Sequence, residues 1–378
     1  MGYTMITTTI TANQLAQRVV QTHSNPLGEE AAKLGLHHLL EVDLGSHADR
    51  EAQQPIGNWR RRVTKVPWNV SEWMKYGVVA QVRKIVRAVQ DGRDDKDIPP
   101  IDALRLKNLW KYECPALPLS QSLDGLRPRL LELACGYEEY CSLREFGMLH
   151  TPFQVESLII TGACELEASS ESTQLAHMTT LRLHFCCGLS PFFLSPALKL
   201  RTLQVEENDA MDTITRLSNC THVLEGLEEF ILTGTNECDL SSTEYWEFLA
   251  SIQKMSHLRL LQLSQRLPFT GLALDALPEF LPQTLERFRF WGAPGTITDS
   301  TQWTQRLGAK SWLPSLQEFA LSLDMPEEYA ARIAVRAPWE RTGEHESRGQ
   351  QTTTSDNVCS EITRAMVEYR PEVVIIRA

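Results

Sequence analysis

The sequence predicts an α/β solenoid, with a curved parallel sheet on its concave side and helices and loops on its convex side. Three observations predict it. A six-residue phrase with apolar residues at its first, fourth and sixth places recurs along the chain, the copies follow one another at a near-constant interval, and stretches of helical spacing lie between them.

The phrase reads Ile101-Leu104-Leu106, Val155-Leu158-Ile160, Met178-Leu181-Leu183, Leu200-Leu203-Val205, Leu227-Phe230-Leu232, Leu258-Leu261-Leu263, Leu285-Phe288-Phe290 and Leu316-Phe319-Leu321, with a degenerate copy at Leu131-Leu133. Successive fourth-place residues are separated by 27, 27, 23, 22, 27, 31, 27 and 31 residues. Such spacings suit a leucine-rich repeat, whose period is about 20 to 29 residues with occasional longer members. Within a copy, Leu181-Arg182-Leu183 turns two side chains to one face of a strand and one to the other. One such strand cannot bury its apolar row alone, so neighbours must stack in parallel around a continuous core.

An earlier phrase, Leu39-Val42-Leu44, lies 62 residues before Leu104, a gap that predicts two long repeats. The closing segment Glu372-Val-Val-Ile-Ile376 follows Phe319 by about two periods, which carries the array nearly to residue 378. Between phrases, Trp246, Leu249 and Ile252 recur at helical steps within Thr243–Ile252 and predict a convex-side helix. Cys186 and Asn208, five places after Leu181 and Leu203, are the polar residues expected to hold exposed backbone as the chain leaves a strand.

On these residues the chain resembles leucine-rich-repeat proteins of the cysteine-containing kind, and is similar to the repeat region of fungal-type F-box/leucine-rich-repeat proteins, over roughly residues 36 to 323. The resemblance implies a non-catalytic scaffold for protein–protein interaction. Relatives with an F-box recruit substrates to cullin-type ubiquitin ligases, which makes ligase components candidate partners. Residues 1–35 contain no Leu-Pro-x-Glu-like helix start, so no F-box is recognisable in them.

The expected organisation is an N-terminal helical or partly disordered segment over 1–35, an irregular repeat array over 36–339, a mobile polar loop over 340–357 and a helix–strand cap over 358–378. Ser355 or Asp356 would start the cap helix, with Val358, Ile362 and Met366 on one face. A basic insert over 58–93 carries nine Lys and Arg against Glu72 and Asp91. It is either the solvated face of a convex helix or a dock for an anionic partner.

The formal net charge of −11 argues against nucleic-acid binding over the whole surface. Nine cysteines, an odd number without a C-x-x-C pair, read as reduced thiols. Neither a secretory leader nor an apolar run long enough to span a bilayer stands out, so an intracellular protein, cytoplasmic or nuclear, is expected.

No enzyme, cofactor or metal is expected. Gly308-Ala-Lys-Ser311 ends like a phosphate loop, but Trp303 stands where its first glycine belongs. His184, Cys186 and Cys187 suggest a metal only until strand alternation sends neighbours to opposite faces. An enzyme on a repeat scaffold would need acid, base and nucleophile together on the strand stripe, where only isolated members occur.

The expected partner-binding residues lie immediately before, between and after the two inner apolar ones: Arg182, His184, Gln204, Glu206, Gln262, Arg287, Arg289 and Trp291. Arg287, Arg289 and Trp291 are the strongest cluster, because Arg and Trp combine contact area with directional bonding; they would meet an acidic or aromatic protein segment. Alternatively, Trp291 packs against the loop that holds Trp303 and Trp312.

Overall fold

The protein is described here from a computed structural model, which covers residues 4–9, 30, 33–34, 38–43, 103–109, 128–135, 141–142, 155–164, 173–186, 194, 197–207, 217–218, 220–234, 242–265, 273–323 and 348–376. The basic insert 58–93 lies outside the described residues, as do Asn208 and Cys187. The chain forms two compact units, Met1–Leu200 and Arg201–Ala378.

The first unit contains β1 (Thr4–Thr9), β2 (His38–Asp43), β3 (Ala103–Leu109), β4 (Leu130–Cys135), β5 (Cys141–Ser142), β6 (Ser157–Thr161), β7 (Ala163–Cys164) and β8 (Thr180–His184). Its sheet runs β1-β2-β3-β4-β6-β8, antiparallel between β1 and β2 and parallel thereafter, while β5 and β7 pair with each other. The strand β1 corrects the helical expectation for part of 1–35. Its run of threonines suits a pleated surface better than a helix, because β-branched side chains are stiff at χ1.

The second unit contains β9 (Thr202–Glu207), α1 (Thr221–Gly226), β10 (Glu229–Gly234), α2 (Ser242–Lys254), β11 (Leu260–Gln265), α3 (Leu277–Phe280), β12 (Arg287–Gly292), α4 (Thr301–Leu307), β13 (Glu318–Ser322), α5 (Arg348–Tyr369) and β14 (Val374–Ile375). Strands and returning elements alternate, and every strand pair is parallel in the order β9-β10-β11-β12-β13-β14. This is an α/β repeat fold with one strand per phrase, consistent with a leucine-rich-repeat architecture.

Register follows the phrase. Leu203, Phe230, Leu261, Phe288, Phe319 and Ile375 form one row across the second unit, and Val205, Leu232, Leu263, Phe290 and Leu321 form the next. Phe230, Phe288, Phe290 and Phe319 are fully buried, and Trp303 of α4 packs 5.6 Å from Phe288 and 6.4 Å from Phe319 between ring centres. The first-place residue has a separate role. The amides of Met178, Leu200, Leu227, Leu258, Leu285 and Leu316 each donate to the carbonyl three residues earlier, closing a turn that launches the strand.

Two expectations change. In β2, Leu40 lies opposite Leu104 and Val42 opposite Leu106, so the first phrase is shifted by two residues from Leu39-Val42-Leu44. A two-residue slip keeps every side chain on its face, and hydrophobic pattern alone cannot detect it. The gaps that looked like two repeats are single ones with long connections, since β2 pairs directly with β3 and β14 directly with β13.

In α2 the buried stripe is Tyr245, Phe248, Leu249 and Ile252, while Trp246 is 50% exposed. Steps of three residues lag a 3.6-residue turn by about 60° each, so Trp246 and Ile252 lie on different faces. The last helix begins at Arg348, so residues 348–357 of the expected polar loop belong to it. It buries Val358, Ile362, Ala365 and Met366.

Arg370, just past α5 and 5% exposed, fastens the cap. Its guanidinium donates to the carbonyls of Trp312 at 2.7 Å and Leu313 at 3.0 Å, and to Glu372 at 2.7 Å. Leu313 stands at a positive φ of 43°, a conformation costly for a branched side chain unless its surroundings hold it. Arg370→Met should therefore lower the unfolding free energy by about 2–4 kcal/mol, by stranding buried carbonyls. Arg370→Lys should restore less than half of that, because an ammonium cannot fork across the same acceptors; urea unfolding of the three proteins measures both.

A second consequence concerns pH. At place 2 of the phrase, Arg129 donates to Glu156 at 2.7 and 2.8 Å. That bond, outweighing burial that pushes the other way, holds the Glu156 carboxyl below its ordinary value of 4.5. A lowered folded value means the pair stabilises the fold above the unfolded value and ceases to do so as pH falls through the folded one. Both side chains are more than a third exposed, so solvent screening limits the effect to a few tenths of a kcal/mol. The stability difference between the wild type and Glu156→Gln should be present at neutral pH and vanish on acidification below the carboxylate range, as read by urea midpoints.

Candidate functional site

The pleat of the second unit's strands turns places 3, 5 and 7 of each phrase away from the apolar rows. Place 3 gives Thr202, Glu229, Leu260, Arg287 and Glu318; place 5 gives Gln204, Ile231, Gln262, Arg289 and Ala320; place 7 gives Glu206, Thr233, Ser264, Trp291 and Ser322. Register thus brings Gln204, Gln262 and Arg289 into one row, with Glu206 and Trp291 in the row beside it. On β12 burial alternates residue by residue, with Arg287, Arg289 and Trp291 half-buried and Phe288, Phe290 and Gly292 buried.

Both arginines are already engaged. Arg287 Nη2 reaches Glu229 Oε1 at 3.0 Å across the intervening strand, over Leu260. Arg289 pairs with Glu318 on the adjacent strand. The face is therefore patterned with matched charges, and an acidic partner would have to compete with Glu229 and Glu318. Those two residues are legible in the sequence as outward-facing. Their pairing is not, because it joins strands one and two repeats away.

Trp291 is separated by the pleat from the two tryptophans proposed to pack with it. Trp303 sits among Phe288 and Phe319, and Trp312 donates its indole N–H to the Pro278 carbonyl at 2.9 Å. The strand ends at Gly292, where a Cβ would come within 2.6 Å of the buried Phe290 ring and 3.1 Å of the Thr296 hydroxyl. Glycine here lets the following loop close under Trp291's strand while Phe290 keeps its place in the core. Beside Trp291 in register, Ser264 is 2% exposed, and among the described residues its hydroxyl has no hydrogen-bond partner.

Arg182 and His184, in the first unit, are not presented to solvent as expected. Each is 4% exposed, and Arg182 is ion-paired with Glu30 at 2.8 Å. The sequence gives no hint of this, since the covering residue lies 152 positions away. Cys186 does serve backbone at the strand exit: its thiol lies 3.5 Å from the Ile160 carbonyl and 3.6 Å from that of His184. Among the described residues, no three His, Cys, Asp or Glu side chains are grouped to hold a metal ion, and no helix is long and apolar enough to cross a membrane.

Compared with known proteins, the chain matches no family profile and no curated protein. Among solved structures it is similar to a leucine-rich-repeat protein of Leptospira interrogans, at 12% identity over 63% of this chain and 88% of that one, with a TM-score of 0.19. So slight a likeness carries no argument, and the repeat architecture rests on strand register.

The ion pairs alter what charge reversal does. Arg287→Glu with Arg289→Glu sets carboxylates against Glu229 and Glu318, and should lower stability by about 1–3 kcal/mol through like-charge repulsion at half-buried sites. The double Gln variant removes the pairs without repulsion and should cost about 1 kcal/mol or less. Urea unfolding distinguishes them, and identical losses would mean that the pairs do not form in solution.

Proposed function

We propose that this chain is a non-catalytic scaffold that binds a protein partner on the strand face of its second unit, through Trp291, Arg287, Arg289, Gln262, Gln204 and Glu206. The observation that carries the proposal is the juxtaposition on β11 and β12 of half-buried Trp291 and Gln262 with two oriented guanidiniums. Aromatic and arginine side chains held by packing and ion pairs lose little freedom on binding, which favours them as anchors. Glu229 and Glu318 balance the arginines, so the fitting partner offers hydrogen-bonding and aromatic groups in preference to bare negative charge.

Two finer readings belong to the same proposal. A role as substrate-recognition subunit of a ubiquitin ligase draws on the cysteine-containing repeat, of which Cys186 is the described example. Its partners would then include ligase components. An intracellular setting fits the reduced thiols of Cys186, Cys220 and Cys359.

The test is affinity purification of the tagged full chain from its own cells, then binding measurements with the recovered partner. Trp291→Ala should weaken binding at least 30-fold, about 2 kcal/mol, as expected for a central anchor. Gln262→Ala should weaken it several-fold, and Trp246→Ala, on the helix side, should leave it unchanged. Equal affinities for all three variants would overturn the proposal.

A further inference from the structure

Exposed apolar side chains gather at one end of the second unit. Among the described residues six large hydrophobic side chains are exposed, and four of them fall between positions 367 and 376: Val367 at 57%, Tyr369 at 47%, Val374 at 64% and Ile376 at 37%. They belong to the close of α5, to β14 and to the residue after it. The terminal element of a repeat array needs a polar outer face to stay soluble alone, and an apolar sheet edge invites another chain to pair with it. This cap presents the apolar kind.

Main-chain geometry says what can pair there. Among the described strands β14 has one neighbour, β13. The amides of Val374 and Ile376 donate to the carbonyls of Gln317 at 2.8 Å and Phe319 at 3.0 Å. Main-chain polar groups alternate between the two edges of a strand, so the N–H and C=O of Ile375 point to the open edge. Register sets Val374 beside Glu318 and Ile375 beside Phe319, which puts Val374 and Ile376 on the outward face and Ile375 in the apolar row. An edge centred on one residue with a donor and an acceptor is its own complement. A two-fold axis at Ile375 lets each copy donate to and accept from the other. It also sets Val374 opposite Ile376 of the second copy, twice, as close cross-strand apolar pairs.

Charge on α5 fits the same axis. Arg364, Val367 and Glu368 are exposed, and steps of three and four residues put them on one helix face. That face is opposite in sign at its two ends. An antiparallel pair of α5 helices meeting at Val367 sets Arg364 against Glu368 of the second copy, and Glu368 against its Arg364. An unrelated protein would have to match both the edge and the charges, whereas a second copy does so by symmetry.

We infer that this end of the second unit binds a second copy of the chain, through antiparallel pairing of the two β14 strands about Ile375 and contact of the two α5 helices at Val367. The contact is isologous and closes with two copies, so it builds a dimer and nothing longer. It uses no residue of β11 or β12 and stands or falls apart from the partner-binding reading.

Sedimentation equilibrium of the full chain over a concentration series is the test. The wild type should pass from monomer to dimer. Val374→Lys puts a charge on the paired edge and should weaken dimerisation about tenfold or more, while Trp246→Lys, on α2, should leave it unchanged. Arg364→Glu and Glu368→Arg each set like charges facing across the axis, and each should weaken self-association about tenfold. Mixed in equal amounts, these two variants carry opposite charges at every facing position and should associate as tightly as the wild type. A wild type that stays monomeric up to about 1 mM would overturn the inference. So would a dimer that Val374→Lys leaves intact, or a mixture that associates no better than its parts, because the contact would then lie elsewhere.

Discussion

Two amides converging on one carbonyl fix this fold. The place-2 carbonyl of one repeat accepts the N–H groups of places 2 and 3 of the next: Arg129 from Glu156 and Ser157, Arg201 from Glu228 and Glu229, Arg259 from Glu286 and Arg287, and Glu286 from Gln317 and Glu318. Each bond pair sets the height at which the following strand starts. With that height fixed, the period-two pleat has a single way to run, and the fourth-place and sixth-place side chains stack into continuous apolar rows. Side chains at the same place reinforce the spacing, since Arg129 meets Glu156 and, more loosely, Arg201 approaches Glu228 and Arg259 approaches Glu286 at 3.6 and 3.9 Å. The exposed pairs add little energy; the buried backbone bonds carry the constraint.

The face left over by this constraint is where recognition chemistry can sit, because its residues lie outside the two apolar rows. In the first unit that face is buried on β8, where Arg182 is ion-paired with Glu30. The second leaves β12 half-open, but restrains its arginines with Glu229 and Glu318. A restrained guanidinium presents fixed donors, which suits a surface that must tell one polypeptide from another. In the cap, β14 pairs with β13 through Val374 and Ile375 among the described residues, and Arg370's three bonds add to the apolar packing of α5.

Much of this was legible in the sequence, for a physical reason: a repeat forces local pattern and global register to agree. Every fourth-place residue from Leu104 to Phe319 lies where the phrase puts it. The errors arose where the pattern is degenerate. Leu39-Val42-Leu44 and the true register of β2 differ by two residues and share a face. Trp246 belongs to a three-residue periodicity that a 3.6-residue helix does not keep. The long connections after β2 and β13 mimic missing repeats, because spacing alone does not distinguish an insertion from a degenerate copy. For the candidate site, alternation identified which side chains leave the core but not what meets them. Arg182 with Glu30, Arg287 with Glu229 and Arg289 with Glu318 are contacts between distant positions, and no local rule encodes them. The exception is place 2, two residues before each marker, where Arg129 and Glu156, then Arg201, Glu228, Arg259 and Glu286, alternate in charge and so carry a local signal of pairing between repeats.

The most direct measurement is site-specific photo-crosslinking of the full chain in its own cells, with a benzophenone amino acid at position 291 and, separately, at position 246. If the strand face of the second unit is a partner-binding surface, position 291 captures one protein reproducibly and position 246, on the helix side, does not. Capture of the same protein with equal yield from both positions, or from position 246 alone, would contradict the assignment of recognition to that face.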